Sequence, residues 1–175
     1  CLIEHIPELV KAGINSFKIE GRAKSAYYAA VVTNAYRVAI DEYLKNPSDD
    51  FKTPQWIVDE CYKVSYREYC TGFYYHAPNE DANISFDGGY KRHYDVMAEV
   101  KDYQDGYLIG EQRNKFSVGD VIEIMKPNGE NVEVIVKRIL TEDGVEQESA
   151  PHPKQVLYVD LGIQVDEFDI LRRQE

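Results

Sequence analysis

At 175 residues the chain has room for one ordinary domain or two small ones, and 43% hydrophobic with 29% charged residues marks a folded protein, not a disordered tail. No apolar run approaches the ~18 residues that cross a bilayer. The opening CLIEHIPELV lacks the basic start and long apolar stretch of a secretory signal, so a cytoplasmic setting without a membrane partner is expected.

The net charge of −11 is unevenly shared: 9 basic against 10 acidic residues up to Pro78, then 11 against 21 from Asn79 onward. The change falls in the stretch HAPNEDANISFDGG, whose turn-forming residues predict a domain boundary, with domains at 1–78 and 79–175. The acidic second half repels phosphate backbones, which disfavours non-specific nucleic-acid binding there. Cys1, Cys61 and Cys70 are an odd count without metal-knuckle spacing, so thiols are expected and a disulfide framework is not.

In chain order, IPELVKAG predicts a short helix, with Pro7 in its first turn and Gly13 as its stop. INSFKIEG follows as a short strand with Phe17 and Ile19 on one face. GRAKS then turns the chain into a long helix from about Ser25 to Asn46, capped by Ser25 and closed by Pro47. Ala29, Val32, Tyr36, Ala39 or Ile40, and Tyr43 form its apolar face. A lone strand with a long amphipathic helix needs parallel neighbours, so the strand predicts partners in an upstream α/β barrel domain of the same protein. A third helix is expected over Thr53–Val64, with Thr53 as cap, Pro54 at the first helical position, and Ile57, Cys61 and Val64 inward. SYREYCTGFYYHAP reads as a tyrosine-rich loop.

From Tyr94 the period changes to two. YDVMAEV predicts a strand with Val96, Ala98 and Val100 on one face, and Asp105–Gly106 turns into YLIGEQR. FSVGD turns into VIEIMK, Asn128–Gly129 predicts a hairpin before ENVEVIVKRIL, and Asp143–Gly144 another turn before QVLYVDLG and EFDILRR. The fold class expected is α+β: the truncated end of an α/β domain, as in a TIM-type barrel or an open sheet (strand plus helices), followed by a small antiparallel β-barrel domain.

The segment that points to chemistry is SFKIEGRAKS. At the C-terminal end of a parallel strand, Glu20, Arg22 and Lys24 would face a ligand: one carboxylate as base or metal ligand, and two cations for an anionic group beside a helix N-terminus. Gly21 would permit the tight turn between them. The alternative is structural, an ion pair between Glu20 and Arg22 with Lys24 solvated. His5, His76, His93 and His152 are scattered and define no triad.

The residues SFKIEGR-x-KS-x-YY followed by YR-x-AID resemble the collagenase-like peptidases, peptidase family U32. SYREYCTGFYY resembles that family's later loop, at Arg67, Thr71, Gly72 and Phe73. The β-rich remainder is similar to the small barrel closing its longer members. Ala23 stands where many members have methionine and Glu68 where glycine is usual; the family's upstream cysteine-rich motif is not in this sequence. The resemblance implies a C-terminal portion of a collagenase-like protease, a hydrolase acting on peptides, with the β-domain positioning a substrate or associating with a second copy. Its alternative is an RNA hydroxylation protein, acting on transfer or ribosomal RNA through an iron–sulfur cluster. Cys1 would then be one cluster ligand in the full-length protein, with no cofactor held by this portion alone and no catalysis by it in isolation.

Overall fold

The computed structural model describes residues 1–77, 89–127 and 131–175. They form two compact units, Cys1–His93 and Tyr94–Glu175. The boundary expected after Pro78 and the Asn128–Gly129 hairpin turn lie outside the described residues.

The first unit is helical. A single 3-10 turn, Ile3–His5, leads into α1 (Ile6–Lys11), which ends before Gly13 at φ 78°. α2 (Ala26–Lys45) begins where the Ser25 hydroxyl accepts the Tyr28 amide at 3.1 Å, satisfying one orphan donor of the first turn. Its buried face is Val31, Val32, Ala35, Val38, Ala39 and Tyr43, whereas Ala29, expected inside, is exposed. α3 (Gln55–Glu60) is shorter than expected: it ends at Glu60, four residues before Val64, and at its start the Thr53 hydroxyl does not cap it but donates to the Ile3 carbonyl at 2.7 Å, tying two distant segments in a buried hydrogen bond. Ile57, Cys61 and Val64 are buried as their spacing implies. The helices meet over a core of Ile3, Ile6, Ala35, Val38, Ala39, Ile57 and Val58.

Residues 14–20 carry no strand. A strand requires a ladder partner, and among the described residues none lies beside Ser16–Glu20.

The second unit is a curled antiparallel sheet. β1 (Tyr94–Gln104), β2 (Tyr107–Gln112), β4 (Val121–Met125), β5 (Val132–Ile135), β6 (Arg138–Thr141), β7 (Glu146–Gln147), β9 (Val156–Asp160) and β10 (Ile170–Gln174) run in the order β5-β4-β10-β1-β2-β9-β6-β7. β3 (Phe116–Ser117) and β8 (Ser149–Ala150) pair separately. β5 and β6 are halves of one segment: the Val136 amide bonds the Asp120 carbonyl on the β4 side and the Lys137 amide bonds Asp160 on the β9 side. The sheet therefore curls until both its flanks are stitched to the same ten residues.

The Asp105–Gly106 turn has φ of 50° and 86°, the left-handed pair that matches strand twist. Register departs from simple alternation in β1. Pairing shifts between Val96 and Ala98, placing Met97 and Ala98 both inside and leaving Val96 half-buried; a bulge, not the expected Val96 face, sets the packing. Pairing with β2 shifts again between Val100 and Asp102. Gly110 lies opposite Val100, and a Cβ there would stand 2.8 Å from the Glu99 carbonyl oxygen, so this close approach admits only glycine. Met97, Val100, Phe116, Ile122, Ile124, Leu157 and Leu171 fill the core. Arg172 is also fully buried, its Nε 2.5 Å from the Glu123 carboxylate and its guanidinium 5.6 Å from the Tyr94 ring.

Candidate functional site

The Gly21–Ser25 turn joins the extended segment to α2. The Lys24 amide bonds the Gly21 carbonyl at 2.9 Å, and Glu20 Oε1 accepts the Arg22 amide at 2.9 Å. Glu20 thus braces the turn with its carboxylate; the alternative Glu20–Arg22 ion pair is not formed, and this side chain-to-backbone bond stands in its place. Gly21 is not in the left-handed region. Its value is space, since a Cβ would meet the Tyr28 ring at 3.3 Å. The Arg22 side chain is exposed.

Lys24 is not a solvated charge. Its Nζ donates to the Ser65 carbonyl at 2.9 Å and stands 3.9 Å from the Tyr90 ring centroid and 5.3 Å from that of Tyr28. The geometry depends on a bridge between distant segments. Tyr66 and Lys91 exchange backbone hydrogen bonds of 3.1 and 2.7 Å, which sets Ser65–Arg67 beside Tyr90. Arg67 Nη2 donates to the Tyr90 hydroxyl at 3.1 Å, with its guanidinium carbon 4.8 Å from the ring centroid. The hydrogen bond from Arg67 and the charge of Lys24 hold the Tyr90 phenol below the usual tyrosine range. Lys91 and Glu68 form an ion pair alongside.

Against the extended segment lies a cavity of about 430 Å³, lined by Phe17, Ile19 and Glu20 on one side and by Tyr28, Tyr36 and Tyr69 from α2 and the tyrosine-rich loop. Such a volume and apolar lining suit a small ligand or an inserted side chain. Cys1 borders it, its Sγ 3.6 Å from the Tyr36 hydroxyl, which accepts the Leu2 amide at 2.8 Å. Burial pushes the Tyr36 phenol up to about 12. Tyr62, Tyr66 and Tyr69 pack as a ring cluster at centroid distances of 5.0 to 5.5 Å.

The three cysteines are free thiols. Burial pushes the Cys61 thiol up to about 12, so in this apolar setting it is held as the protonated thiol. Among the described residues no group of three or more His, Cys, Asp or Glu side chains is placed to hold a metal ion. A cluster that needs four thiolates does not fit this chain. Cys1 could offer one ligand, and the rest would have to come from outside these residues. His5 bonds the Tyr75 hydroxyl at 2.8 Å and His76 the carbonyl of its neighbour Ala77. No helix among the described residues is long and apolar enough to cross a membrane.

The structure brings Lys24 together with Tyr90 and Arg67 and leaves Arg22 and Cys1 apart from that group. Tyr90 was missed by sequence reasoning, because its role arises from the Tyr66–Lys91 bridge and no local pattern announces it. Arg67 was visible only as part of the loop resemblance.

Comparison with known proteins covers both units. Residues 1–84 match the profile of peptidase family U32 and residues 92–172 that of the peptidase family U32 C-terminal domain. A tRNA hydroxylation protein P1 of Bacillus subtilis is 33% identical over 174 residues, 98% of this chain and 41% of that protein. A tRNA hydroxylation protein P of Escherichia coli is 33% identical over 138 residues, 73% of this chain and 28% of that protein. An uncharacterized protease of Methanocaldococcus jannaschii is 34% identical over 142 residues, 78% of this chain and 34% of that protein. The chain thus spans about two-fifths or less of the length of these relatives. Among solved structures, the C-terminal domain of a Geobacillus thermoleovorans protein assigned to the U32 peptidases matches 47% of this chain and all of its own, at 28% identity and a TM-score of 0.41. With both of its units matched, and by separate profiles of one family, this chain belongs to peptidase family U32.

Proposed function

We propose that this chain serves as the C-terminal part of a tRNA hydroxylation protein, with the helical unit beside the substrate and the curled acidic sheet as an accessory positioning domain. The observation that carries the reading is the likeness to the Bacillus subtilis tRNA hydroxylation protein P1, which runs through both units over 98% of this chain. In the whole protein, Ser16–Glu20 would gain its ladder partners from an upstream TIM-type barrel. The Glu20–Lys24 turn would then stand at the ligand-facing end of that barrel. RNA contact is assigned to the helical unit because the sheet unit carries 9 basic against 18 acidic residues from Tyr94 onward.

The peptidase reading is the weaker one. It has only family and relative names behind it, and among the described residues no serine, threonine or cysteine of the site is hydrogen bonded to a base.

The test is nucleoside mass spectrometry of tRNA from cells lacking the gene, with and without complementation by the intact protein. The expected result is loss of a nucleoside carrying one added oxygen and its recovery on complementation. Unchanged tRNA nucleosides, together with peptide release from casein or gelatin that Glu20→Ala abolishes, would overturn the proposal in favour of the peptidase.

A further inference from the structure

We infer that Lys24, Arg67 and Tyr90 form a clamp for a backbone phosphate of the tRNA substrate, an inference that rests on the tRNA reading above. In the helical unit Lys11, Arg37, Lys45, Lys63 and Lys91 each face a carboxylate. Lys18, Arg22 and Lys52 are exposed side chains, whereas Lys24 and Arg67 converge: among the described residues their partners are a carbonyl oxygen and the ring and hydroxyl of Tyr90. Two cations brought to one phenol in a protein of net charge −11 repel each other unless an anion joins them. Fixing them costs further side-chain entropy.

The parts are held ready. Lys24 is anchored at Ser65, and Arg67 is set by the adjacent Tyr66–Lys91 bridge. Tyr90 remains 53% exposed, so the group opens to solvent. Lysine binds phosphate as a point charge, arginine through its planar fork, and a tyrosine hydroxyl donates a third hydrogen bond. Phe73, 81% exposed in the loop that follows Arg67, offers a face on which an unpaired base can stack. An extended single-stranded region of the tRNA is therefore the favoured partner over a duplex.

The experiment measures tRNA binding by the intact protein across a salt series, for wild type, Lys24→Gln, Arg67→Gln and Arg67→Lys. Each glutamine variant should weaken binding about tenfold and reduce the slope of log affinity against log salt by about one. Arg67→Lys should restore the slope. Because Lys24→Gln also removes the bond to Ser65, a shift in its thermal unfolding leaves the decision to the two Arg67 variants. Wild-type binding and hydroxylation that persist, with affinity and slope unchanged in both glutamine variants, would overturn the clamp alone. A wild type that binds inorganic phosphate but no tRNA would overturn both the clamp and the functional reading.

Discussion

From Tyr94 to Glu175 each described strand finds its ladder partner within the unit, whereas among the described residues of Cys1–His93 the extended segment Ser16–Glu20 finds none and a single bridge joins two distant loops. The sheet unit spends its apolar residues on one core that includes even a buried arginine, and it keeps few aromatics outside. The helical unit exposes Phe73, Tyr74, Tyr75 and Tyr90 and brings Lys24 and Arg67 to the last of these. One region is closed by its own backbone; the other leaves an extended segment and several aromatic rings uncovered among its described residues.

The contrast can be broken most forcefully in the sheet core. Phe116→Ala should cost about 3–5 kcal/mol, read as a fall in the denaturant midpoint of the strand signal while the helical signal holds. A common shift of both signals would mean that the units unfold together. Next comes Gly110→Ala, which forces a methyl against the Glu99 carbonyl and should cost about 1–3 kcal/mol by the same measurement. An unchanged midpoint would show that β1 yields at its bulge.

Within the helical unit, Ser25→Ala removes the α2 cap and should cost about 1 kcal/mol, seen in helical ellipticity on heating. Smallest near pH 9, where the unfolded thiol is only half ionised, is the effect of Cys61. Its folded thiol is raised to about 12 from an ordinary value of 9.0, so the folded state holds the proton more tightly than the unfolded one. The resulting stability is complete below about pH 9 and drains away as pH rises towards 12. Unfolding of the helical unit should become easier above pH 9 and less so in Cys61→Ala. A pH-independent midpoint there would place the thiol in solvent.

Local chemistry was legible. Ser25 as cap, Gly13 as stop and Asp105–Gly106 as turn each depend on a few neighbouring residues, and each stands where the sequence put it. Features set by distant partners were not. Thr53 left its capping role for the Ile3 carbonyl 50 residues away, and Met97 moved inward through a bulge that alternation cannot foresee. The site divides the same way. Lys24 was recognised beside its helix, but its aromatic partner lies 66 positions further on, reached only through the Tyr66–Lys91 bridge.

The ten residues Val132–Thr141 serve β4 with one half and β9 with the other. Loss of a single residue at Val136 would act like a reading-frame error in the sheet: whichever half kept its partners, the opposite half would turn its inward side chains out. Length at that joint is therefore fixed more strictly than composition, and an exposed residue such as Lys137 can vary in kind but not in number.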